Sequence, residues 1–138
     1  MTDGTGIAIK RINPPELGVP PGYSQVVEVK ASRLIFIAGQ TSLDSNGELV
    51  GKADFPAQAA QVFANLSVAL QATGCTAADL VKLTVFLTDM GNLGAYREAR
   101  NRFFATTSPP AAPAVTLVEV SRLYGPEFLI EIEAIAAA

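Results

Sequence analysis

The chain has 138 residues, of which 49% are hydrophobic and 17% are charged; this indicates one compact domain over residues 1–138 and excludes a disordered chain. Its 13 acidic and 10 basic side chains give a net charge of −3, which argues against a protein that binds nucleic acid by neutralising phosphates. With no histidine and one cysteine, the sequence lacks the usual proton carrier near neutral pH and excludes an internal disulfide or a cysteine-rich metal site.

No segment of the sequence has the character of a membrane anchor or an export signal. The apolar runs stay well below the ~20 residues that span a bilayer. Residues 1–6 show neither the basic nor the apolar part of a signal peptide. We therefore expect a cytoplasmic protein that does not associate with a membrane.

The N-terminal part of the chain predicts three strands. Alternating or dense apolar patterns indicate strands over residues 7–12, 24–30 and 33–38. The dipeptide Ala31-Ser32 suggests a hairpin between the second and the third. Gly39 is expected to end the third strand.

The rest of the chain predicts two helices and three strands. In chain order these are a helix over 55–73, a strand over 79–88, a helix over 93–105 and strands over 113–123 and 130–136. Asp54 can cap the first helix and Gly74 suits its end. Cys75 follows in a turn, where we expect a buried structural thiol, because no histidine is present to activate it.

This order of elements, β-β-β-α-β-α-β-β, indicates an α+β domain. Right-handed crossovers place both helices on one face of a mixed sheet. The other face would be too apolar to remain in water, since residues such as Ile37, Val85 and Val118 compete for places on it. We therefore expect a homo-oligomer.

The last strand carries the strongest chemical signal. Glu131 and Glu133 lie on one face of it, and Ile130 and Ile132 lie on the other. A carboxylate on a rigid strand can transfer protons. Without histidine, hydrolytic chemistry in this chain must depend mainly on carboxylates, hydroxyls and ordered water.

Several segments, in this order and spacing, resemble the Rid family, also called the YjgF or endoribonuclease L-PSP-like family. The resemblance covers residues 23–136, and its landmarks are Phe36-Ile37-Ala38-Gly39-Gln40, residues 79–89, Phe103-Phe104 and the tail from Pro113 to Ile135. It implies a chorismate-mutase-like α+β fold with a six-stranded mixed sheet, and a homotrimer whose sheets form a central barrel. Three small-molecule clefts at the subunit boundaries would hydrolyse reactive enamines and imines, without metal or organic cofactor.

By the same resemblance, Glu131 occupies the position of the family's acid–base glutamate, Tyr23 lines the cleft and Gly39 brings backbone N–H groups to the ligand. Phe86 would be a cleft wall or an ordinary core residue. Simpler roles stay open: Glu131 as a surface carboxylate, Tyr23 as a packing residue and Gly39 as a strand end. Glu133 is expected to be a surface residue or to pair with a basic neighbour.

The sequence departs from the family at the cleft. Val115 stands where the best-known members hold the substrate carboxylate with an arginine, Ala38 replaces a small hydroxyl residue and Leu117 replaces a cysteine. A valine cannot form a bidentate ion pair. These changes predict a substrate that is less charged or larger than 2-aminoacrylate. Arg97 can reach a carboxylate from another wall, or it belongs to a solvated helix face with Arg100 and Arg102.

Three functions remain open at this point. The first is an imine or enamine hydrolase that uses Glu131 and water. The second is a trimer that binds a small molecule without turnover. The third, an endoribonuclease or translation inhibitor, is the least supported, because the chain is acidic and lacks histidine and a basic stripe.

Overall fold

The computed structural model describes residues 6–138. The expectation that residues 1–6 are not a signal peptide falls almost entirely outside this range. Within these residues the chain forms six strands and two helices. They are β1 (Ala8–Ile12), β2 (Val26–Lys30), β3 (Leu34–Gln40), α1 (Phe55–Gln71), β4 (Leu80–Leu87), α2 (Leu93–Phe104), β5 (Ala114–Glu119) and β6 (Ile130–Ala137). The predicted order of elements is confirmed.

The strands form two hydrogen-bonded ladders. Four of them build a mixed sheet in the order β3-β6-β4-β5, in which β6 is antiparallel to both neighbours and β4 is parallel to β5. The other two, β1 and β2, pair antiparallel with each other. The six strands were predicted, but they do not form one continuous ladder.

The predicted hairpin between β2 and β3 is wrong. β2 pairs with β1, and β3 pairs with the distant β6. The backbone groups that a hairpin would use are taken by the C-terminal residue instead. The N–H groups of Ser32 and Arg33 donate to the Ala138 carbonyl at 3.1 and 2.8 Å, and the Ala138 N–H donates to the Arg33 carbonyl at 3.0 Å.

Both helices lie on one face of the sheet, as predicted: α1 packs on β3 and β6, and α2 packs against α1 and contributes to the same core. Helix α1 begins where the Asp54 side chain accepts a hydrogen bond from the Ala57 N–H at 3.2 Å. Its buried stripe meets alternate residues of the central strands, and the fully buried aliphatic residues include Val62, Leu66, Leu83, Ile130 and Ile132. Each such side chain contributes about 1.5–3 kcal/mol to folding, so this layer is the core of the domain.

The opposite face of the sheet is open and partly apolar. Phe36 and Leu34 of β3 are 73% and 57% exposed, and Val118 of β5 also lies on this face. Ile37 and Val85, which we expected here, are buried beneath the helices. Which face a side chain occupies depends on how its strand pairs with its neighbours. In β3 and β4 the odd-numbered residues Ile37 and Val85 face the helices, and their even-numbered neighbours face the open side. A homo-oligomer that covers this face stays a prediction.

Two smaller findings concern single elements. Cys75 is buried behind the end of α1, as expected. Neither helix in residues 6–138 is long and apolar enough to cross a bilayer.

A buried amide connects α1 to the start of β6. Gln58 is fully buried, and its side-chain nitrogen donates to the carbonyl oxygens of Gly51 and Glu127 at 3.0 and 2.8 Å. Its side-chain oxygen accepts from the Leu129 N–H at 2.9 Å. Gln58 therefore fixes the backbone immediately before Ile130, where β6 begins.

Replacing this amide by an apolar group of similar size should destabilise the fold. Gln58→Leu leaves buried backbone groups without partners, at about 1–3 kcal/mol for each such group. We expect urea unfolding at fixed protein concentration to show a loss of about 2–4 kcal/mol. Gln71→Leu, on the exposed end of the same helix, should change stability by less than about 0.5 kcal/mol. Equal losses in the two variants would contradict the role assigned to Gln58.

Candidate functional site

Glu131 lies on the open face of the sheet, closely surrounded by residues of β3 and β4. Glu131 pairs across the ladder with Phe86 of β4, and its carboxylate lies against Gly39 of β3. A Cβ atom on Gly39 would lie 2.8 Å from the Glu131 carboxyl carbon, so a larger residue would displace the carboxylate. Glu131 is half-buried, and Phe86 is half-buried beside it on the open face. Phe86 therefore lies beside Glu131 and outside the buried core, and its role as a cleft wall stays a prediction.

A bulge in β3 shapes the same place. Its residues Ala38 and Gly39 together face the single residue Glu133 of β6. Gly39 lies inside β3, which continues to Gln40, so the expectation that the strand ends at this glycine is corrected. Bulges leave one residue out of the ladder and bend the strand, which opens the backbone beside the Glu131 carboxylate.

The surroundings of Glu131 favour its protonated form. Burial raises the pKa of the Glu131 carboxyl, and the negative charge of Glu133, two residues along β6, raises this pKa further. Within residues 6–138 neither a cation nor a hydrogen bond offsets these two effects. A carboxyl whose pKa moves towards neutrality can both donate and accept a proton.

A second set of predicted site residues lies on the other side of the sheet. The ladder pairs Val115 with Leu83 and Leu117 with Val85, and both partners are core residues beneath the helices. A cavity of about 260 Å³ lies here between β5, α2 and the loop before β2. Its walls include Tyr23, Tyr96, Arg97, Arg100, Val115 and Leu117.

The loop that carries Tyr23 is tied to the start of β5. The Ser24 N–H donates to the Pro113 carbonyl at 3.1 Å, and the Ser24 hydroxyl donates to the Ala112 carbonyl at 2.5 Å. Ser24 is buried. These bonds hold Tyr23 near Val115, and both residues line the cavity. That they bind a ligand together stays a prediction.

The predicted site residues therefore form two groups that one chain does not bring together. Ala38, Gly39, Phe86 and Glu131 lie on the open face, whereas Tyr23, Arg97, Val115 and Leu117 lie on the helix side. Successive side chains of a strand point to opposite faces, so the sheet separates the two groups. Spacing along the sequence did not reveal this, because the relative phase of β5 and β6 depends on how each pairs with β4.

The sequence interpretation missed Tyr96 and Arg100 as site residues. The solvated helix face that the sequence suggests includes Arg100, but Arg100 is only 6% exposed, and its guanidinium carbon lies 5.8 Å from the centre of the Tyr96 ring. The helical spacing of Tyr96, Ala99, Arg100 and Phe103 was the available signal, since these positions share the packing side of α2.

Other charged residues lie outside both groups. Glu133 is exposed, which agrees with the expectation of a surface residue. Arg122 forms no ion pair within the part of the chain that the structure describes. The same residues contain no group of three acidic or cysteine side chains close enough to hold a metal ion.

Comparison with known proteins finds close similarity over most of the chain. The family model described as Endoribonuclease L-PSP matches residues 16–138. A RutC family protein of Pyrococcus horikoshii is 42% identical over 115 residues, covering 83% of this chain and 85% of that protein. A mouse protein named 2-iminobutanoate/2-iminopropanoate deaminase is 40% identical, covering 83% of this chain and 79% of its own.

The fold comparison agrees with the sequence comparison. The crystal structure of a Rid family protein of unknown function from Yersinia pestis superposes with a TM-score of 0.83 at 37% identity. The superposition covers 94% of this chain and 98% of that chain.

The raised pKa of Glu131 makes stability depend on pH. Folding favours the protonated carboxyl, so this contribution is complete below the ordinary pKa of glutamate and is lost as pH rises through the raised value of the folded state. The Glu131→Gln side chain is uncharged at every pH, so burial and the negative charge of Glu133 do not destabilise it as they destabilise the carboxylate. We expect the variant to be more stable than the parent at neutral pH, and to lose that advantage at acidic pH, in urea unfolding followed from pH 7 to pH 4.

Glu48→Gln, in an exposed turn, is the control for removing one negative charge. A gain shared by both variants would reflect net charge and not the setting of Glu131.

Proposed function

Because this chain belongs to the Endoribonuclease L-PSP family, which includes RutC and Rid proteins, we propose that it hydrolyses a reactive imine or enamine, with Glu131 as its acid and base. The observation that carries this proposal is the half-buried Glu131 carboxyl with its raised pKa, held against Gly39. The mouse relative supports the reaction class, since its name describes the deamination of imines.

In the proposed reaction the imine and water give a ketone and ammonia. The protonated Glu131 donates its proton to the imine nitrogen as water attacks the carbon, and the resulting carboxylate accepts a proton from that water. The proton is then passed to the amine nitrogen, which leaves as ammonia while the hydroxyl becomes the ketone and its proton returns to the carboxylate. Phe86 lies beside the carboxyl and limits the access of bulk water, which adds to the burial that raises the Glu131 pKa.

The proposed site is shared between subunits of a homotrimer. Glu131 and the cavity beside Val115 lie on opposite faces of the sheet, so a site that uses both needs two copies of the chain. The exposed side chains of Leu34 and Phe36 support assembly through the open face, because such a patch is unfavourable in water. The proposed partners are therefore two further copies of the chain and a small molecule between them.

The proposed substrate differs from 2-aminoacrylate. Val115, Leu117 and Ala38 make the cleft more apolar than the resemblance implies for the best-known members. A valine at position 115 leaves the carboxylate of a small imine without a partner on β5. The proposed substrate is less charged than 2-aminoacrylate or larger.

A trimer that binds a small molecule without turnover is the second candidate. It is favoured by one observation: the cavity of about 260 Å³ exists within a single chain and contains no acid–base carboxylate. An endoribonuclease remains the weakest candidate, since the chain is acidic and has no histidine.

Removing or displacing the Glu131 carboxyl should abolish hydrolysis. Imines generated from alanine and phenylalanine by an amino-acid oxidase provide the substrates, and release of the keto acid and ammonia is measured. We expect Glu131→Gln to lower kcat by about 100-fold or more, since general acid–base catalysis contributes that much. Gly39→Ala should lower it similarly, because the new Cβ displaces the carboxylate while the fold is kept.

Gly94→Ala is the matched control, because a Cβ there meets no atom within 4 Å. Absence of turnover by the parent protein on every imine would favour the binding trimer. Full activity of Glu131→Gln would remove the role proposed for this residue.

Restoring a cation on β5 should shift the substrate preference. Val115→Arg offers a bidentate partner to a small carboxylate, and such a charged pair is worth about 2 kcal/mol or more when buried. We expect kcat/KM for 2-aminoacrylate to rise about tenfold relative to the imine from phenylalanine. Val115→Leu, which adds bulk without charge, should not produce this shift; an equal shift in both variants would contradict the explanation.

A further inference from the structure

The cavity on the helix side contains a buried cation without an anion. The Arg100 guanidinium donates to the Asn101 side-chain oxygen from Nε at 3.4 Å and from Nη2 at 3.2 Å, and to the Pro21 carbonyl from Nη2 at 3.3 Å. Both acceptors are neutral. No carboxylate in residues 6–138 forms an ion pair with Arg100. A guanidinium this buried normally has an anionic partner, because burying an unpaired charge costs free energy.

A hydroxyl without a partner lies on the same wall. Tyr96 is 1% exposed, and its hydroxyl is the buried side-chain polar atom that forms no hydrogen bond within the described residues. Burial raises the pKa of Tyr96 to about 12, although the charge of Arg100 and the approach of its N–H groups to the Tyr96 oxygen oppose this rise, so the phenol keeps its proton at neutral pH. A guanidinium can only donate hydrogen bonds, so the Tyr96 O–H group still has no acceptor. Buried donors without acceptors are rare, and each calls for an acceptor.

The charges of the cavity all have one sign. Arg97 is exposed at its rim, and Arg100 lies within it. No acidic residue lines the cavity, whereas Tyr23, Val115 and Leu117 give it an apolar wall. This combination suits an organic acid: an anionic group against the arginines and an apolar body against β5.

We propose that this cavity is a carboxylate-binding subsite, in which the Arg100 guanidinium and the Tyr96 hydroxyl hold the acid group of the substrate and Arg97 attracts it at the rim. The identification of the bound acid as a substrate rests on the proposed function, but the binding of a carboxylate does not. The cation lies on α2 rather than on β5, so it holds the acid group in a different place from an arginine at position 115. The proposed substrate is either less charged than 2-aminoacrylate or larger, and a carboxylate-binding subsite favours the second alternative: a larger molecule that still carries an acid group.

Arg100 also has a structural role that must be separated from binding. It anchors the loop before β2 through the Pro21 carbonyl, and a Cβ on Gly22 would lie 2.5 Å from its Nη2 atom. These contacts use Nε and Nη2, and none among the described residues uses Nη1. A residue that only anchors the loop would affect stability, but not the preference for an acid over its amide.

The test compares the affinity of the native protein for phenylacetate and for phenylacetamide by calorimetry. The two probes share a ring and differ in charge. We expect the parent protein to bind the acid at least about tenfold more tightly than the amide, since charge-assisted hydrogen bonds to a buried arginine are strong. Arg100→Gln should abolish this preference, and Tyr96→Phe should reduce it severalfold.

Arg102→Gln, at an exposed position of the same helix, is the control and should keep the parent's preference. Tyr96→Phe preserves the packing, so it tests the proposal even where Arg100→Gln fails to fold. Equal affinity of the parent for acid and amide would overturn the proposal, as would an unchanged preference in Tyr96→Phe and Arg100→Gln. Stronger competition by inorganic phosphate than by phenylacetate would overturn the assignment to a carboxylate.

The binding measurement needs no turnover. If the protein prefers the acid but hydrolyses no imine, the subsite proposal stands and the proposed reaction is wrong. If the protein hydrolyses imines but shows no preference for the acid, the proposed reaction stands and the subsite proposal is wrong.

Discussion

The position of β6 between β3 and β4 is the constraint on which the site depends. Ile130 and Ile132 are fully buried beneath the helices, and this forces Glu131, between them, onto the opposite face. Strand β3 then approaches so closely that a glycine is needed beside the carboxylate. The apolar core thus holds the acid in place, and the same packing that stabilises the domain keeps its carboxyl partly out of water.

Buried polar groups divide into two kinds in this domain. The amide of Gln58 has a partner for its oxygen and two for its nitrogen, and it serves the fold by fixing the entry to β6. The hydroxyl of Tyr96 has none within the described residues, and the neighbouring Arg100 has no anion. Unsatisfied buried polar groups are rare in native structures and call for an explanation, and for Tyr96 we propose a bound ligand. This contrast connects the cavity on the helix side with function.

The two faces of the sheet have complementary electrostatics. On the open face, burial and Glu133 favour a neutral carboxyl at Glu131, which suits proton transfer. On the helix side, two arginines and an apolar wall suit an organic anion. A molecule that contacts both faces must lie between two copies of the chain, so the proposed chemistry and the proposed assembly depend on each other.

The sequence by itself determined the elements, the alternation around Glu131, the cap of α1 and the family, because these follow from local spacing and from motifs. Only the tertiary structure decided that β3 pairs with β6, that Val115 and Glu131 lie on opposite faces, and that Arg100 is buried. Strand pairing depends on contacts between residues far apart in the chain, such as Arg33 with Ala138. The face on which a side chain lies follows from that pairing, since a shift of one residue in register reverses every side chain of a strand.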